Sequence, residues 1–209
     1  MKNIITIQHT QSIHHTNGMI GAWTDWELTE LGKQQADSIG RALKKQLSDT
    51  TNYTMYASDL LRTKQTAEIV SKYLNLRPIY RTELREINLG SATGKSIKWL
   101  HKNQQEYNSN TSLLDFKCLP DAESKRDFYH RLLPFINEIE NSPEENIIIV
   151  SHGGTLSMLF TMWIYGDISG TKDIAFQGIS GGVSFLKKND QGMKIIQKLN
   201  DLSYLINHA

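Results

Sequence analysis

The chain has 209 residues, with 23 Lys and Arg against 22 Asp and Glu, 39% hydrophobic residues and 22% charged residues. That balance, without a long basic run, argues against a general nucleic-acid or membrane-surface binder, and the apolar fraction suits a buried core rather than a disordered chain. The single cysteine, Cys118, excludes an intrachain disulfide and a cysteine-rich zinc site.

The length falls within the usual span of one core, and no linker, repeat or low-complexity segment divides it, so one domain over residues 1–209 is expected. The first residues, Met1-Lys2-Asn3-Ile4-Ile5-Thr6-Ile7, lack a long apolar leader with a cleavage site, and no apolar run reaches membrane-spanning length. A soluble cytoplasmic protein is the expectation.

Asn3 to Gln8 alternates apolar and polar residues and is rich in Ile, which predicts a first strand ending near His9. Thr29 then precedes a helix whose apolar face is expected to carry Leu31, Ile39, Leu43 and Leu47, beside Ala36 and Ala42. Thr54 to Ala57 reads as a short strand, and Ser58 as the N-cap of a helix with Arg62 in its first turn. Arg77 to Thr82 reads as another strand, followed by an irregular rim with Gly90 and Gly94.

Ser96 to Tyr107 is expected to be a short helix and Asn108 to Pro120 a loop, so residues 88–120 read as a lid or cap insertion. Phe128, Leu132, Phe135, Ile136 and Ile139 predict a long helix stopped near Asn141-Ser142-Pro143. Asn146 to Val150 has the composition of a strand covered on both faces. Ser151-His152-Gly153-Gly154 turns it into a helical run to about Ile164, and Gly181 to Lys187 and Met193 to Leu199 read as a closing antiparallel pair.

This alternation predicts an α/β fold of three layers, α/β/α, with a mostly parallel, doubly wound sheet and sites at the carboxyl ends of its strands. His9 and His152 fall at two such ends, while Arg62 and Glu86 follow two further strands. Each alone has a structural explanation. Together they supply a nucleophile, a cationic donor and a proton carrier, the set that phosphoryl transfer needs.

Four ordered segments carry a resemblance to a known family: Gln8-His9-Thr10-Gln11-Ser12, Tyr56-Ala57-Ser58-Asp59-Leu60-Leu61-Arg62-Thr63, Leu84-Arg85-Glu86-Ile87, and Val150-Ser151-His152-Gly153-Gly154. Over about residues 3–155 the chain resembles the histidine phosphatase superfamily, in its phosphoglycerate mutase-like branch. The resemblance implies that His9 attacks phosphorus and becomes a phosphohistidine that water hydrolyses. Arg62 and His152 would grip phosphoryl oxygens, and Glu86 would act as general acid and then base. Gln8, Ser12, His15 and Gly153 join Arg62 and His152 as implied phosphate-site residues. The scheme requires no cofactor and no metal.

Gln8 stands where the family places arginine, and Thr10 where it places glycine. A charge-assisted hydrogen bond contributes roughly 1.5–3 kcal/mol against about 0.5–1.5 for a neutral one, so an unreplaced arginine would cost on the order of tenfold in transition-state binding. Two readings of His14-His15 stand: an imidazolium that restores the charge, with His15 at a position where relatives place a phosphate-contacting residue, or a surface loop without a role. His9, His14, His15, His152 and Glu86 also have the chemistry of a transition-metal site, although their spacing matches no metal motif.

Lys95, Lys98 and Trp99, with His101 and Lys102, read either as a lid face for a second anionic group or as a solvated helix. Trp23 and Trp26 either line the pocket or pack its loop. The expected function is a phosphomonoesterase acting on a small phosphorylated metabolite. A catalytically weak phospho-ligand-binding domain is the alternative, and a mutase or a metal-dependent hydrolase is less favoured. A homodimer is compatible with the sequence.

Overall fold

The computed structural model describes residues 1–47 and 49–205. Six strands, β1 (Lys2–Gln8), β2 (Tyr53–Ser58), β3 (Ile79–Arg81), β4 (Asn146–Ser151), β5 (Val183–Lys188) and β6 (Lys194–Asp201), form one sheet in the order β3-β2-β4-β1-β5-β6. The first four in that order run parallel, while β5 pairs antiparallel with β1 and β6 antiparallel with β5. The α/β class and the closing hairpin agree with the sequence reading.

Strand β4 explains the layering. Its residues Ile147 to Val150 are all fully buried, and they alternate between two cores. Ile147 and Ile149 join Ile4 and Tyr56 under α5 (Lys125–Asn141) and α6 (Gly153–Tyr165). Ile148 and Val150 join Ile5, Ile7 and Met55 under α2 (Glu30–Gln46) and α3 (Leu61–Leu74). The connections β1-α2-β2 and β2-α3-β3 step one way across the sheet, whereas β3-α5-β4 steps back. Crossovers of a single hand must then place α5 on the opposite face.

Helix boundaries follow local chemistry. Thr29 caps α2 by accepting a hydrogen bond from the Gly32 N–H at 3.0 Å, and Ser124 with Asp127 forms a capping box at α5. Leu31 does not join the buried face of α2 as expected, being 49% exposed. The buried stripe runs instead through Gly32, Ala36, Ile39, Gly40 and Leu43, at i, i+4, i+7 spacing, and Leu31 lies beside it.

Three further expectations are corrected. Ser58 closes β2 and is not the N-cap of α3; Leu60 takes that place, while the Ser58 hydroxyl accepts from the Leu60 N–H at 3.3 Å and lies 2.8 Å from His152 Nε2. The strand expected over Arg77 to Thr82 shrinks to Ile79–Arg81, an exposed edge that starts after Pro78, which has no N–H to give a ladder. The helix expected from Ser96 to Tyr107 covers only Ile97–Asn103 (α4), with Ser96 capping it through the Trp99 N–H at 3.0 Å.

Residues Ile20, Ala22, Ala92, Leu119 and Ala122 form a third, smaller core, against which Leu89, Trp99, Leu100 and Cys118 pack. It ties the segment after β1 to residues 88–120 at the carboxyl end of the sheet. No helix among the described residues is long and apolar enough to cross a membrane.

Candidate active site

The parallel strands end together. Gln8 is in register with Ser151, and Ser58 with Arg81, so the residues that follow β1, β2, β3 and β4 meet at one edge. In the strand order, β4 lies between β1 and β2, and this reversal opens a crevice of the kind that open α/β sheets use for ligands.

His9 follows β1 and is buried, with its backbone N–H on the Ser151 carbonyl at 2.9 Å. Its Nδ1 lies 2.9 Å from the Thr10 carbonyl oxygen, which can only accept, so Nδ1 carries the proton. The lone pair is therefore on Nε2, where it accepts from Nε–H of Arg62 at 3.2 Å. Burial, and then the Arg62 charge, hold the His9 pKa well below the ordinary imidazole value.

Arg62 is the second residue of α3 and 1% exposed. Its two terminal nitrogens donate to the Thr24 and Ala22 carbonyls, each at 2.9 Å, which fixes the guanidinium plane against His9. Burial lowers its pKa to about 10, opposed by the charges of Glu86 and Asp25, and it remains a cation at neutral pH.

His152 precedes α6, fully buried, with its ring centroid 5.2 Å from that of His9. Nε2 lies 2.8 Å from Ser58 Oγ and 3.0 Å from Thr63 Oγ1. Burial, with the Arg62 charge second, pushes its pKa well down. The Glu86 carboxylate accepts from the backbone N–H groups of Gly154 at 3.0 Å and Ile87 at 2.9 Å. A side chain at Gly154 would collide with that carboxylate, so the glycine allows the acid to approach the start of α6. His9, Arg62, Glu86 and His152 thus do converge.

Gln8 and the paired histidines complete the rim. The Gln8 side chain is buried beside Gly153 and Gly178, and its Oε1 has no hydrogen-bond partner among the described residues. His14 and His15 begin the four-residue helix α1 (His14–Asn17). The His15 ring stacks parallel to His9 at 5.4 Å, and His14 lies 5.8 Å from His9. Ser12, itself buried, organises both: its N–H donates to His15 Nδ1 at 3.1 Å, and its hydroxyl bonds His14 Nδ1.

Of the two readings of His14-His15, the surroundings of the rings disfavour a standing positive charge. Desolvation comes first for both rings; the Arg62 charge adds to it at His15, and the neighbouring His15 and Arg62 add to it at His14. The His14 pKa falls to about 3 and that of His15 also drops, which favours uncharged rings. Lys95 and Lys98 are exposed, and their side chains make no hydrogen bond or ion pair among the described residues; Trp99 packs into the small core beneath them.

Several partners escaped the sequence reading. Arg131, in the middle of α5, donates to the backbone carbonyls of Glu83 at 2.8 Å, Arg85 at 3.1 Å and Glu86 at 3.0 Å, and pairs with Glu123 at 2.7 Å. Trp23 Nε1 donates to the same Glu86 carbonyl at 2.6 Å, with Arg131 over its ring, so this tryptophan holds the acid's loop. The segment before β5 also arrives here: Gly181 N–H donates to the Gln8 carbonyl at 3.2 Å, and a side chain at Gly178 would overlap the Gln8 amide. Only the spacing of Arg131 from Phe128 hinted at an inward role.

Comparison with known proteins identifies the family and the fold. The sequence profile described as Histidine phosphatase superfamily (branch 1) matches residues 4–201. The broad-specificity phosphatase YOR283W of Saccharomyces cerevisiae is 25% identical over 209 residues, covering 97% of this chain and 86% of its own. The fold is similar to that of the alpha-ribazole phosphatase from Shigella flexneri, with a TM-score of 0.79, 24% identity and 96% of each chain covered. It is also similar to a mycobacterial glucosyl-3-phosphoglycerate phosphatase, with a TM-score of 0.78, 18% identity, and 95% of this chain and 98% of that one covered. The chain belongs to the histidine phosphatase superfamily, branch 1, and is a phosphatase of that superfamily.

Proposed function

We propose that the protein hydrolyses the phosphomonoester of a small metabolite through a phosphohistidine on His9. The observation that carries this reading is the fixed tautomer of His9: a proton held on Nδ1 by Thr10 leaves a lone pair on Nε2 beside the Arg62 cation. Nε2 attacks phosphorus, the P–O bond to the leaving group breaks, and protonated Glu86 gives that oxygen its proton. Water then attacks the phosphohistidine, Glu86 takes a proton from it, and the P–N electron pair returns to Nε2 as phosphate departs.

Arg62 and His152 stabilise the charge on the transferring group, while the Gly154 N–H at the start of α6 holds the Glu86 carboxylate beside them. Ser12, His15, Gln8 and Gly153 line the phosphate site, with the rings of His14 and His15 as uncharged donors. Residues 88–120 serve as the cap over it.

Rapid quenching of turnover with p-nitrophenyl phosphate, followed by intact-mass measurement, tests the reading. An acid-labile phosphoryl adduct, lost together with turnover in His9→Ala, is the expected result. Full turnover by His9→Ala would overturn it.

A second reading, binding of a phosphorylated ligand with little turnover, is favoured by Gln8. Its unpartnered Oε1 presents a negative dipole where relatives place a cation. Tight phosphate binding without hydrolysis across a panel of phosphomonoesters would select it.

A further inference from the structure

One ring nitrogen from each of His9, His14 and His15 lies within 4.8 Å of the others. We propose that these three imidazoles form an inhibitory site for a divalent transition metal of the zinc class.

The donor chemistry selects the ion. Three imidazoles without a carboxylate suit zinc, copper or nickel and not magnesium or calcium, and three protein ligands leave a fourth position for water. The site is also reachable. His15 is exposed at the mouth of the crevice, His14 is half-buried beside it, and their ring centroids are 4.0 Å apart. The Ser12 hydroxyl bonds His14 Nδ1 and can accept its N–H, as an outer partner that orients a metal-binding histidine does.

The present arrangement is wider than a loaded one. Two nitrogens at 2.0–2.1 Å from a tetrahedral ion sit about 3.4 Å apart. Rotation of the His14 and His15 rings closes the gap, and for His15 this exchanges its bond from the Ser12 N–H.

Inhibition follows from which His9 nitrogen remains. Nδ1 is engaged by the Thr10 carbonyl, so the ion takes Nε2, the lone pair assigned to attack on phosphorus, and displaces the Arg62 Nε–H. The guanidinium keeps its bonds to Ala22 and Thr24, and its charge opposes the incoming cation. Binding is therefore reversible, responding to free metal instead of holding it permanently. The inhibitory part rests on His9 being the nucleophile; the metal site itself does not.

The test uses the full chain without a His tag. Cobalt(II) titration followed by visible absorption reads binding directly, and zinc inhibition of p-nitrophenyl phosphate turnover reads its effect. One equivalent of cobalt with a tetrahedral-type spectrum is expected, weakened by more than about 100-fold in His9→Ala, His14→Ala and His15→Ala, beyond the roughly 10–100-fold that removal of an outer partner gives. Zinc inhibition of the wild type should reverse with a chelator. The zinc inhibition constants of His14→Ala and His15→Ala, each taken against that variant's own zinc-free rate, should rise in parallel with the loss of cobalt affinity.

Circular dichroism checks each fold, and His14→Gln and His15→Gln replace any alanine variant that unfolds. Cobalt binding unchanged by all three substitutions, binding without inhibition, or stimulation by zinc would each overturn the proposal. If His9→Ala retains turnover, the proposed catalytic role falls, while the cobalt titration still decides the site.

Discussion

Arg62 donates its Nε–H to Nε2 of His9 at 3.2 Å, while its other two nitrogens are fastened to the Ala22 and Thr24 carbonyls. The contact keeps the His9 lone pair oriented, and an arriving phosphoryl group must exchange with it. Lysine keeps the charge at position 62 but cannot hold both carbonyls and His9 in one plane. Arg62→Lys is expected to lower kcat/KM by about 100-fold or more, the size seen when one preorganised donor is removed. Steady-state kinetics with p-nitrophenyl phosphate measure it, and a loss under threefold would remove Arg62 from the phosphoryl site.

Gln8 is the second point of leverage. Exchanging a neutral amide for a guanidinium adds about 1 kcal/mol of interaction with an anion, or roughly fivefold in affinity. Gln8→Arg should therefore tighten inhibition by inorganic phosphate by about that factor. Weaker inhibition would mean that the walls at Gly153 and Gly178 leave no room for the longer side chain.

Arg131 acts through the backbone: it gathers the carbonyls of Glu83, Arg85 and Glu86 and pairs with Glu123 in a largely buried setting. Arg131→Leu leaves Glu123 without its cation and removes one donor from each of those carbonyls, at a cost of about 3 kcal/mol. Displacing Glu86 should lower kcat/KM by about 10–100-fold. Urea denaturation and kinetics on the same sample separate the two effects, and a stable variant with normal turnover would deny Arg131 its positioning role.

Stability should depend on pH through the buried imidazoles. His9, His14 and His152 have lowered pKa values when folded, with His14 at about 3 against 6.5 unperturbed. As pH falls below about 6.5 the unfolded chain takes up protons that the folded chain refuses, so stability is complete above that value and declines toward pH 3. Tm measured from pH 7.5 to 4 should fall progressively, and less steeply in His14→Ala. Identical slopes in the two proteins would show that His14 is already solvated and free to protonate.

The four converging residues were legible because each sits in a short segment fixed by strand-end chemistry. His9 and His152 end strands of strong apolar pattern, and Arg62 opens a helix after a third. Their immediate partners were not legible. Ser58 has the residue type of a helix cap, and only the fold reveals that its hydroxyl is turned to His152. Arg131 lies on α5 beside the buried Phe128, Leu132 and Phe135, but its residue type alone reads as solvent-facing. Gly178 and Gly181 reach the site because an antiparallel strand returns them to it, a pairing without local signature. The charge state of His14 and His15 depends on burial, which residue type does not encode.

The sheet order also dictates when the site can exist. Among the described residues β1 pairs with β4 and β5, so the strand that leads into His9 has no neighbour until Asn146 and the residues beyond it are available. During synthesis from the N-terminus, the first 145 residues can gather β2, β3 and their helices but cannot seat β1. The strand that restores the pairing of β1, β4, is also the one that leads into His152, so His9 and His152 take their places together.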